Sequence, residues 1–455
     1  MGFVLLPTPY SLLPPLHIAI ITAGGAGMFC GSCMHDNTWA RALMAAGAEV
    51  SLIPTYTPIR VDEQDVSDTH VFMGGINLYM EHRSRLWRQL PRAITRPLDH
   101  PAVLRILSKL SLSNDAADLG DLTLDMLAGE SGPMSREVDE LVEHIASRLK
   151  PDVVIFSNAL LVGGLKRLKE RFDGPVFCTL QGDDVFTEDL PESHKQRVID
   201  EVSRRAQLFD GFFTHTRFYR DHMAEYLGLT LDHMHVIPLG IDFAGHGGEV
   251  SPTSRPFTVG YFARIAPEKG LHHFIDAALH LHKRRPGEIH FKVGGYLNPQ
   301  HRRYFADLQQ KTQPLGKSFE YVGSPDTLAE KVAFYQSLDL LSVPTEFLEP
   351  KGLYVLEALA NGVPVVQPRH GAFPEMIEAT EGGHLFEPRD AEALATAIER
   401  LCDAPPLRES LGNTGQAKVH ALYNPSRMAE MTLSILSEHG TTLSPQPPSN
   451  KLPTT

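Results

Sequence analysis

The sequence is poor in cysteine, in positive charge and in long apolar runs. Its 455 residues contain four cysteines, too few for the disulfide framework of a small secreted domain, which favours a reducing compartment. Acidic residues outnumber basic ones by 55 to 42, and a formal net charge of −13 argues against nucleic acid as a partner. No apolar run is long enough to span a bilayer, and the N-terminus lacks the basic region of a signal peptide. The sequence therefore predicts a cytoplasmic protein.

Short apolar runs alternate with amphipathic stretches along the chain, which is typical of parallel α/β architecture. In the first half, strands are predicted at 17–22, 49–54, 153–156, 176–180, 211–214 and 235–238. In the second half, they are predicted at 257–262, 289–293, 319–322, 340–343 and 363–366. The length exceeds one ordinary core, so the pattern predicts two doubly wound, Rossmann-like parallel-sheet domains.

Breaks in this alternation give the domain boundaries. The first domain is predicted over 1–243, with helices inserted over about 60–150. A stretch rich in Gly, Ser and Pro indicates a linker, and the second domain is predicted over 257–425. A final helix over 426–438 is expected to cross back to the first domain, and the tail 439–455 is predicted to be disordered.

A basic segment over 83–109 lies within the predicted insertion. Basic side chains from Arg83 to Lys109 alternate there with apolar ones such as Trp87. Such a segment can bind an anionic membrane surface or an anionic acceptor, whereas the simpler interpretation is a solvated helix face. Both interpretations stay open, and the first would place the protein at the inner surface of a membrane.

A glycine loop follows the first predicted strand. Gly24, Gly25, Ala26 and Gly27 lie between a strand and a helix, where backbone N–H groups can approach a phosphate closely. The third glycine of a dinucleotide fingerprint is out of place, and the second strand ends without the acidic residue that would bind a ribose. The loop therefore predicts a phosphate site or a tight turn, and it argues against NAD.

Two cations follow the first strand of the second half. Arg264 and Lys269 lie in a loop before a helix that is predicted to begin at about Gly270. Open α/β sheets bind ligands at the C-terminal ends of their strands, so these cations could neutralise a diphosphate and stabilise it as a leaving group. A surface turn with two solvated charges is equally compatible with the segment.

Two carboxylates, with seven residues between them, flank the start of a predicted helix over 353–360. Glu349 precedes this helix, Gly352 marks its start, and Glu357 lies within it. The helix is almost wholly apolar, so Glu357 is an ionisable group at a position that should be buried, and it needs a partner. That partner is either a nearby Arg or Lys or the ribose hydroxyl groups of a ligand, while Glu349 would hold sugar hydroxyl groups.

Together these elements resemble glycosyltransferase family 4 of the GT-B superfamily. The Glu-x7-Glu element, the loop with the two cations and the N-terminal glycine loop occur in the order of that family. Further similar segments are 235–242, 293–295, 322–323 and 371–375. The resemblance implies two domains that face each other across a cleft, and a retaining hexosyltransferase that uses a UDP-, GDP- or ADP-sugar.

The resemblance also implies roles for individual residues. Arg264 and Lys269 would hold the diphosphate and Glu349 the transferred sugar, and these three form the predicted catalytic set. The predicted donor-binding residues are Gly25, Ala26, Gly27, Gly294, Gly352, Leu353 and Glu357. Retention would follow from front-face attack, with the departing phosphate taking the acceptor proton. No metal or other cofactor is implied, since the two cations can replace a metal ion electrostatically.

Two departures from the family pattern concern the sugar side of the cleft. Many members have a histidine near the transferred sugar, whereas this sequence has Gln181, and Gln181 or Asp183 would substitute for it. Lys351 replaces an aromatic residue that is common after the Glu-Pro pair, and it would contact a phosphate or lie in solvent.

The third departure is a Cys-x2-Cys sequence, Cys30 and Cys33, just before His35. No second closely spaced pair completes a metal site, and a thioredoxin-type redox role would need a different setting. The simpler prediction is that His35, Asp36 and Asn37 cap the next helix or line the acceptor side of the cleft, with Asp36 or Asn37 as the N-cap residue.

Two alternatives to sugar transfer stay open. A sugar-nucleotide epimerase could share the GT-B fold, although the Glu-x7-Glu element and the two cations fit transferases better. A degenerate GT-B protein could bind a sugar nucleotide without transferring it. The sequence does not choose between a lipid, a small molecule and a polysaccharide as the acceptor.

Overall fold

The computed structural model describes residues 15–24, 30–84, 86–91, 116–247 and 256–439. Gly25, Ala26 and Gly27 of the glycine loop lie outside these residues, as do most of the basic segment 83–109, part of the predicted linker and the tail from residue 440 onward.

The first half of the chain forms a six-stranded parallel sheet. Its strands are β1 (His17–Ala23), β2 (Glu49–Thr55), β3 (Val153–Phe156), β4 (Val176–Thr179), β5 (Gly211–Thr214) and β6 (Met234–Val236). Their order across the sheet is β2-β1-β3-β4-β5-β6, so the chain leaves β1 on one side and returns as β3 on the other. This reversal creates a crevice at the C-terminal end of β1, the place where doubly wound sheets bind ligands.

The second half forms another six-stranded parallel sheet. Its strands are β7 (Phe257–Phe262), β8 (Ile289–Gly294), β9 (Phe319–Tyr321), β10 (Leu340–Leu341), β11 (Val365–Pro368) and β12 (Gly383–Phe386). The order β12-β11-β10-β7-β8-β9 places the reversal beside β7. The predicted fold class of two doubly wound parallel sheets is confirmed, while the strand predicted at 363–366 begins two residues later and β12 was not predicted.

Helices pack on the faces of both sheets, which is why the strands are mostly buried on both sides. Those of the first half are α1 (Gly31–Ala45), α2 (Gly75–Arg83), α3 (Ala116–Ala128), α4 (Ser135–Glu143), α5 (Leu165–Lys169), α6 (Asp183–Glu188), α7 (Glu192–Ala206) and α8 (Arg217–Leu227). Those of the second half are α9 (Leu271–Arg284), α10 (Arg302–Lys311), α11 (Leu328–Gln336), α12 (Leu353–Ala360), α13 (Phe373–Thr380), α14 (Ala391–Asp403), α15 (Pro405–Leu422) and α16 (Pro425–Glu438). None of the described helices combines the length and apolarity that a membrane crossing would need.

Helix α1 begins earlier than its sequence predicts. The extended residue Cys30 is its N-cap, and the helix starts at Gly31 rather than at Asn37. Asp36 and Asn37 therefore lie inside the second turn, and the prediction that one of them caps the helix was wrong. The poor helix formers Gly31 and Ser32 hide the true start, because the apolar periodicity becomes visible only further along the chain.

The last helix, α16, packs against α1 of the first half. The indole Nε1 of Trp39 in α1 donates a hydrogen bond of 2.9 Å to Thr432 Oγ1 in α16. Met428 and Leu436 of α16 are buried in the same hydrophobic cluster as Trp39 and Phe213 of β5. The last helix thus completes the core on one face of the first sheet.

Candidate active site

A cleft of about 800 Å³ lies between the two sheets. Residues that follow β1 and β4 line it from the first half, and loops after β7 and β10 line it from the second. The cleft therefore joins the reversal points of both sheets, and its volume suits a small-molecule ligand.

Lys269 and Glu349 form an ion pair in the wall of the cleft. Lys269 Nζ lies 3.0 Å from Glu349 Oε2. Glu349 also accepts hydrogen bonds from the backbone N–H of Gly352, at 3.1 Å, and from the hydroxyl group of Tyr354, at 2.9 Å. Burial alone would raise the pKa of Glu349, but the Lys269 charge and these hydrogen bonds lower it below its usual value. Glu349 is therefore a buried, ionised carboxylate that reaches the cleft.

Arg264 offers a second cation beside Lys269. It follows β7, lines the cleft and forms an ion pair with Glu268, with Nη2 3.2 Å from Oε1. Its side chain is 44% exposed, so the guanidinium group is open to a ligand. Two of the three predicted catalytic residues thus contact each other, and the third lies on the same wall of the cleft.

The start of helix α12 faces the cleft. Gly352 is its N-cap residue, with a left-handed φ of +58°, and it has no side chain that could cover the first N–H groups. Leu353, the next residue, lines the cleft. Gly294 does not, because it ends β8 against Phe262, and its neighbour Gly295 lines the cleft instead. The structure thus places Gly295, and not the predicted Gly294, in the lining of the cleft.

Glu357 has the lysine partner that the simpler interpretation predicted. Its Oε1 lies 2.6 Å from Lys331 Nζ, and its Oε2 accepts a 2.7 Å hydrogen bond from Tyr335. Lys331 Nζ also lies 2.6 Å from Asp62 Oδ2, so this cation bridges the two halves of the chain. Glu357 still lines the cleft, and a carboxylate oxygen with one partner can accept another hydrogen bond, so a ribose hydroxyl could bind as well.

On the opposite wall, Gln181 links Lys351 to Asp36. The Oε1 atom of Gln181 accepts a 2.7 Å hydrogen bond from Lys351 Nζ. Its Nε2 donates to Asp36 Oδ1, at 3.1 Å, and to the carbonyl oxygen of Ser157, at 2.7 Å. Lys351 is buried, so the alternative that it lies in solvent was wrong, and burial lowers its pKa. The sequence predicted Asp36 only as a helix cap or an acceptor-side residue, and it did not show the contact with Gln181, which lies 145 residues away along the chain.

Two predicted sugar contacts do not line the cleft. Asp183 is buried and accepts hydrogen bonds from the backbone N–H groups of Ala159 and Gln181, and burial raises its pKa to about 6. Asn37 is buried too, and its amide group bonds to the backbone of Gln64 and Val66. Both side chains are held by the protein itself, and the structure does not bring Asp183 or Asn37 into the lining of the cleft.

His35 lines a small cavity that shares lining residues with the main cleft. This cavity of about 20 Å³ has room for one water molecule, and Glu357 and Lys331 also line it. The ring of His35 lies 3.1 Å from Asp36 through Nδ1 and packs against His215 at 4.3 Å between ring centroids. Burial lowers the pKa of His35. His35 is therefore placed to position Asp36, and its contact with a sugar or an acceptor stays a prediction.

One cluster in the described part of the chain has ligand types that suit a metal ion. The Nε2 atoms of His272 and His273 lie 2.8 and 2.9 Å from Glu346 Oε1. These three residues do not line the cleft.

Two family models match the chain. The model described as Glycosyltransferase Family 4 matches residues 128–244, and the one described as Glycosyl transferases group 1 matches residues 249–418. The glycogen synthase of Mycobacterium tuberculosis is 25% identical over 295 residues, which cover 63% of this chain and 68% of that protein. The MMP alpha-(1->4)-mannosyltransferase of Mycolicibacterium hassiacum is 26% identical over 208 residues, or 45% of this chain and 48% of that protein.

Two solved structures share the fold over almost the whole chain. Sucrose-phosphate synthase from Thermosynechococcus elongatus has a TM-score of 0.67 at 18% identity, covering 93% of this chain and 98% of that one. Anabaena HepE, in complex with UDP, has a TM-score of 0.64 at 17% identity, covering 93% and 100%. The family models span strands of both sheets, and the cleft between these sheets carries the Glu-x7-Glu element. The chain therefore belongs to glycosyltransferase family 4 and is a glycosyltransferase with the GT-B fold.

Proposed function

We propose that this glycosyltransferase moves a hexose from a nucleoside diphosphate to an acceptor, with retention of configuration and without a metal ion. The observation that carries the proposal is the ion pair between the half-buried Lys269 and the buried Glu349 in the cleft wall, with the exposed guanidinium group of Arg264 beside it. The acceptor would be a lipid, a small molecule or a polysaccharide.

The two cations would serve the leaving group. A nucleoside diphosphate that departs from a sugar develops negative charge on its outer phosphate, and fixed cations in a water-poor cleft stabilise that charge. Arg264 can rotate from Glu268 towards a diphosphate, because its side chain is 44% exposed. The ammonium group of Lys269 is held in the cleft wall by its ion pair with Glu349. Two cations that can donate hydrogen bonds to the two charged phosphates of a diphosphate diester are the reason why we propose catalysis without a divalent ion.

The carboxylates would hold hydroxyl groups. Glu349 is ionised and tied by Lys269, Gly352 and Tyr354, so it is better placed to accept sugar hydroxyl groups than to attack the anomeric carbon. Glu357 would accept ribose hydroxyl groups. With no nucleophile assigned, retention would follow from front-face attack, in which the departing phosphate takes the acceptor proton.

Relatives suggest which donors to try first. Structures of Anabaena HepE hold UDP and UDP-glucose, and one relative from Corynebacterium glutamicum is named as a GDP-mannose-dependent mannosyltransferase. A panel of UDP, GDP, ADP and their hexose conjugates, with NAD as the comparison, therefore covers the proposed donors.

The first test is ligand binding, measured as a rise in melting temperature with ligand concentration. We expect one nucleotide of the panel to stabilise the wild type, and Lys269→Ala to weaken that binding about tenfold or more, since a hydrogen bond to a charged group contributes about 1.5–3 kcal/mol. Lys292→Ala is the matched control, because Lys292 bonds to Ser337 at 3.1 Å and does not line the cleft. Stabilisation by NAD alone, or equal affinity in Lys269→Ala, would contradict the proposal.

The second test is the chemistry. The bound sugar nucleotide should be hydrolysed slowly without an acceptor, at the same rate with and without EDTA. Proton NMR at early times should show that the released hexose first has the anomeric configuration of the donor. Release of the opposite anomer would exclude retention. A ligand that binds but is never hydrolysed or transferred would favour the degenerate, non-catalytic alternative.

A further inference from the structure

Two cysteines lie in the first turn of helix α1, at the wall of the cleft. Cys30 is the N-cap residue, is partly exposed and lines the cleft. Cys33, one turn further on, is buried. Neither thiol has a role in the sugar transfer proposed above.

The Cys33 side chain lies beside Cys30 at the start of the helix. Its thiol donates a 3.2 Å hydrogen bond to the carbonyl oxygen of Ala23 and also lies within hydrogen-bond reach of the Cys30 sulfur. Cys30 is the extended N-cap residue and Cys33 lies in the first turn, which is the Cys-x2-Cys arrangement of redox-active pairs at a helix start. A disulfide between them needs about 3.5–4.5 Å between the two Cβ atoms.

The surroundings make the two thiols unequal. The hydrogen bond from the Cys33 thiol, the backbone N–H groups at the helix start and the Lys351 charge lower the pKa of Cys30 to about 5. Cys33 donates that hydrogen bond and is buried, and both causes raise its pKa well above the usual value. At neutral pH, the partly exposed Cys30 is therefore a thiolate, while the buried Cys33 keeps its proton.

We propose that Cys30 and Cys33 form a redox-active dithiol, which a low-molecular-weight disulfide oxidises to an intramolecular disulfide. The Cys-x2-Cys spacing, the position at a helix start and the opening of Cys30 to the cleft carry this inference. The sequence alone disfavours a redox role because it does not show this setting. The proposal does not depend on which sugar nucleotide the cleft binds.

The reaction balances in two steps. The Cys30 thiolate attacks one sulfur of the small disulfide, whose sulfur–sulfur bond breaks, and the first small thiolate leaves and takes the Cys33 proton. The Cys33 sulfur then attacks the Cys30 sulfur of the mixed disulfide and expels the second small thiolate, which takes a proton from water. Two protein thiols are oxidised, and one small disulfide is reduced to two thiols. Oxidation also removes one negative charge from beside the Lys351 ammonium group.

The test uses the full-length chain in mixtures of reduced and oxidised glutathione at neutral pH. Free thiols are then blocked with N-ethylmaleimide, and the peptides are analysed by mass spectrometry. We expect the peptide that contains Cys30 and Cys33 to be two hydrogens lighter and unblocked, at ratios where Cys178 and Cys402 are still blocked. Cys178→Ala and Cys402→Ala are the matched controls and should oxidise like the wild type.

Single variants should separate the two roles. Cys33→Ala should stop at a glutathione adduct on Cys30, whereas Cys30→Ala should form no adduct at the buried Cys33. A further measurement uses the wild type and so does not depend on whether a variant folds. The rate at which iodoacetamide alkylates Cys30 is measured against pH, and it should reach half its maximum near the pKa of about 5. A half-point near the value of about 8.5 for a free cysteine, or a Cys30–Cys33 peptide that stays fully blocked at every glutathione ratio, would overturn the proposal.

Discussion

Replacing Lys331 with methionine should destabilise the protein strongly. The ammonium group of Lys331 lies 2.6 Å from both Asp62 and Glu357, and the side chains are 10%, 7% and 7% exposed in that order. Methionine keeps the apolar stem but leaves two buried carboxylates without their shared cation. Breaking a buried ion pair by removing one partner costs about 3–5 kcal/mol. At about 2–4 °C per kcal/mol for a domain of this size, the melting temperature should fall by about 6–20 °C.

The measurement is thermal unfolding by differential scanning calorimetry. Asp326→Asn is the matched control, because it removes an ion pair that also joins the two halves, with Asp326 2.9 Å from Arg60 but 77% exposed. An exposed pair contributes at most about 1 kcal/mol, so this variant should melt close to the wild type. If Lys331→Met melted no lower than Asp326→Asn, burial would not be what makes the Lys331 contacts strong.

A second variant tests whether the loss of stability comes from the two carboxylates that no longer have a cation beside them. Asp62→Asn, added to Lys331→Met, should recover part of the lost stability, because one of the two uncompensated charges disappears. Residues in direct contact are coupled by about 0.5–3 kcal/mol. Additive losses in the double variant would show that Asp62 and Lys331 act independently and would refute the reasoning.

Two further predictions concern the loops of the cleft. Glu349 has a lowered pKa, so its stabilising charge is fully present above the unfolded value of 4.5 and is lost as the pH falls through the folded value. As the pH falls from about 5 to 3, the melting temperature of Glu349→Gln should therefore decrease less steeply than that of the wild type. Equal slopes of melting temperature against pH for the two proteins would contradict this. Gly270→Ala should destabilise the protein and weaken donor binding, because φ is +71° and a Cβ atom would overlap the carbonyl oxygen of Pro344. Gly287→Ala, at φ +78° in open space, should lose about 1–2 kcal/mol of stability without weakening donor binding.

Most of the fold could be predicted from the sequence because buried parallel strands are continuous apolar runs. Strands β3, β5 and β7 lie at their predicted residues, since turn residues bound each run clearly. Strand β12 was missed because Gly383–Phe386 includes only two apolar side chains. The early start of α1 was missed for a related reason, since its first turn has little apolar character and few good helix formers.

The site was predictable where its residues lie in one motif and unpredictable where they meet through the fold. Glu349, Gly352 and Glu357 could be singled out because they surround the start of one helix. Their lysine partners could not all be found, because Lys331 belongs to another helix and meets Glu357 only through packing. The contact between Gln181 and Lys351 spans 170 residues, and no local pattern encodes such a pairing.

The packing of α16 on α1 means that the chain passes between the two halves twice. The two passages lie side by side, since the backbone N–H of Ile241 donates a 3.0 Å hydrogen bond to the carbonyl oxygen of Tyr423. Two adjacent chain connections act as a hinge between the two halves. They allow rotation of one half relative to the other about one axis and resist rotation about the others. A protein cut at the linker would give two pieces, and the first would lack the helix that completes its core. The first half therefore depends on the end of the chain for a complete core.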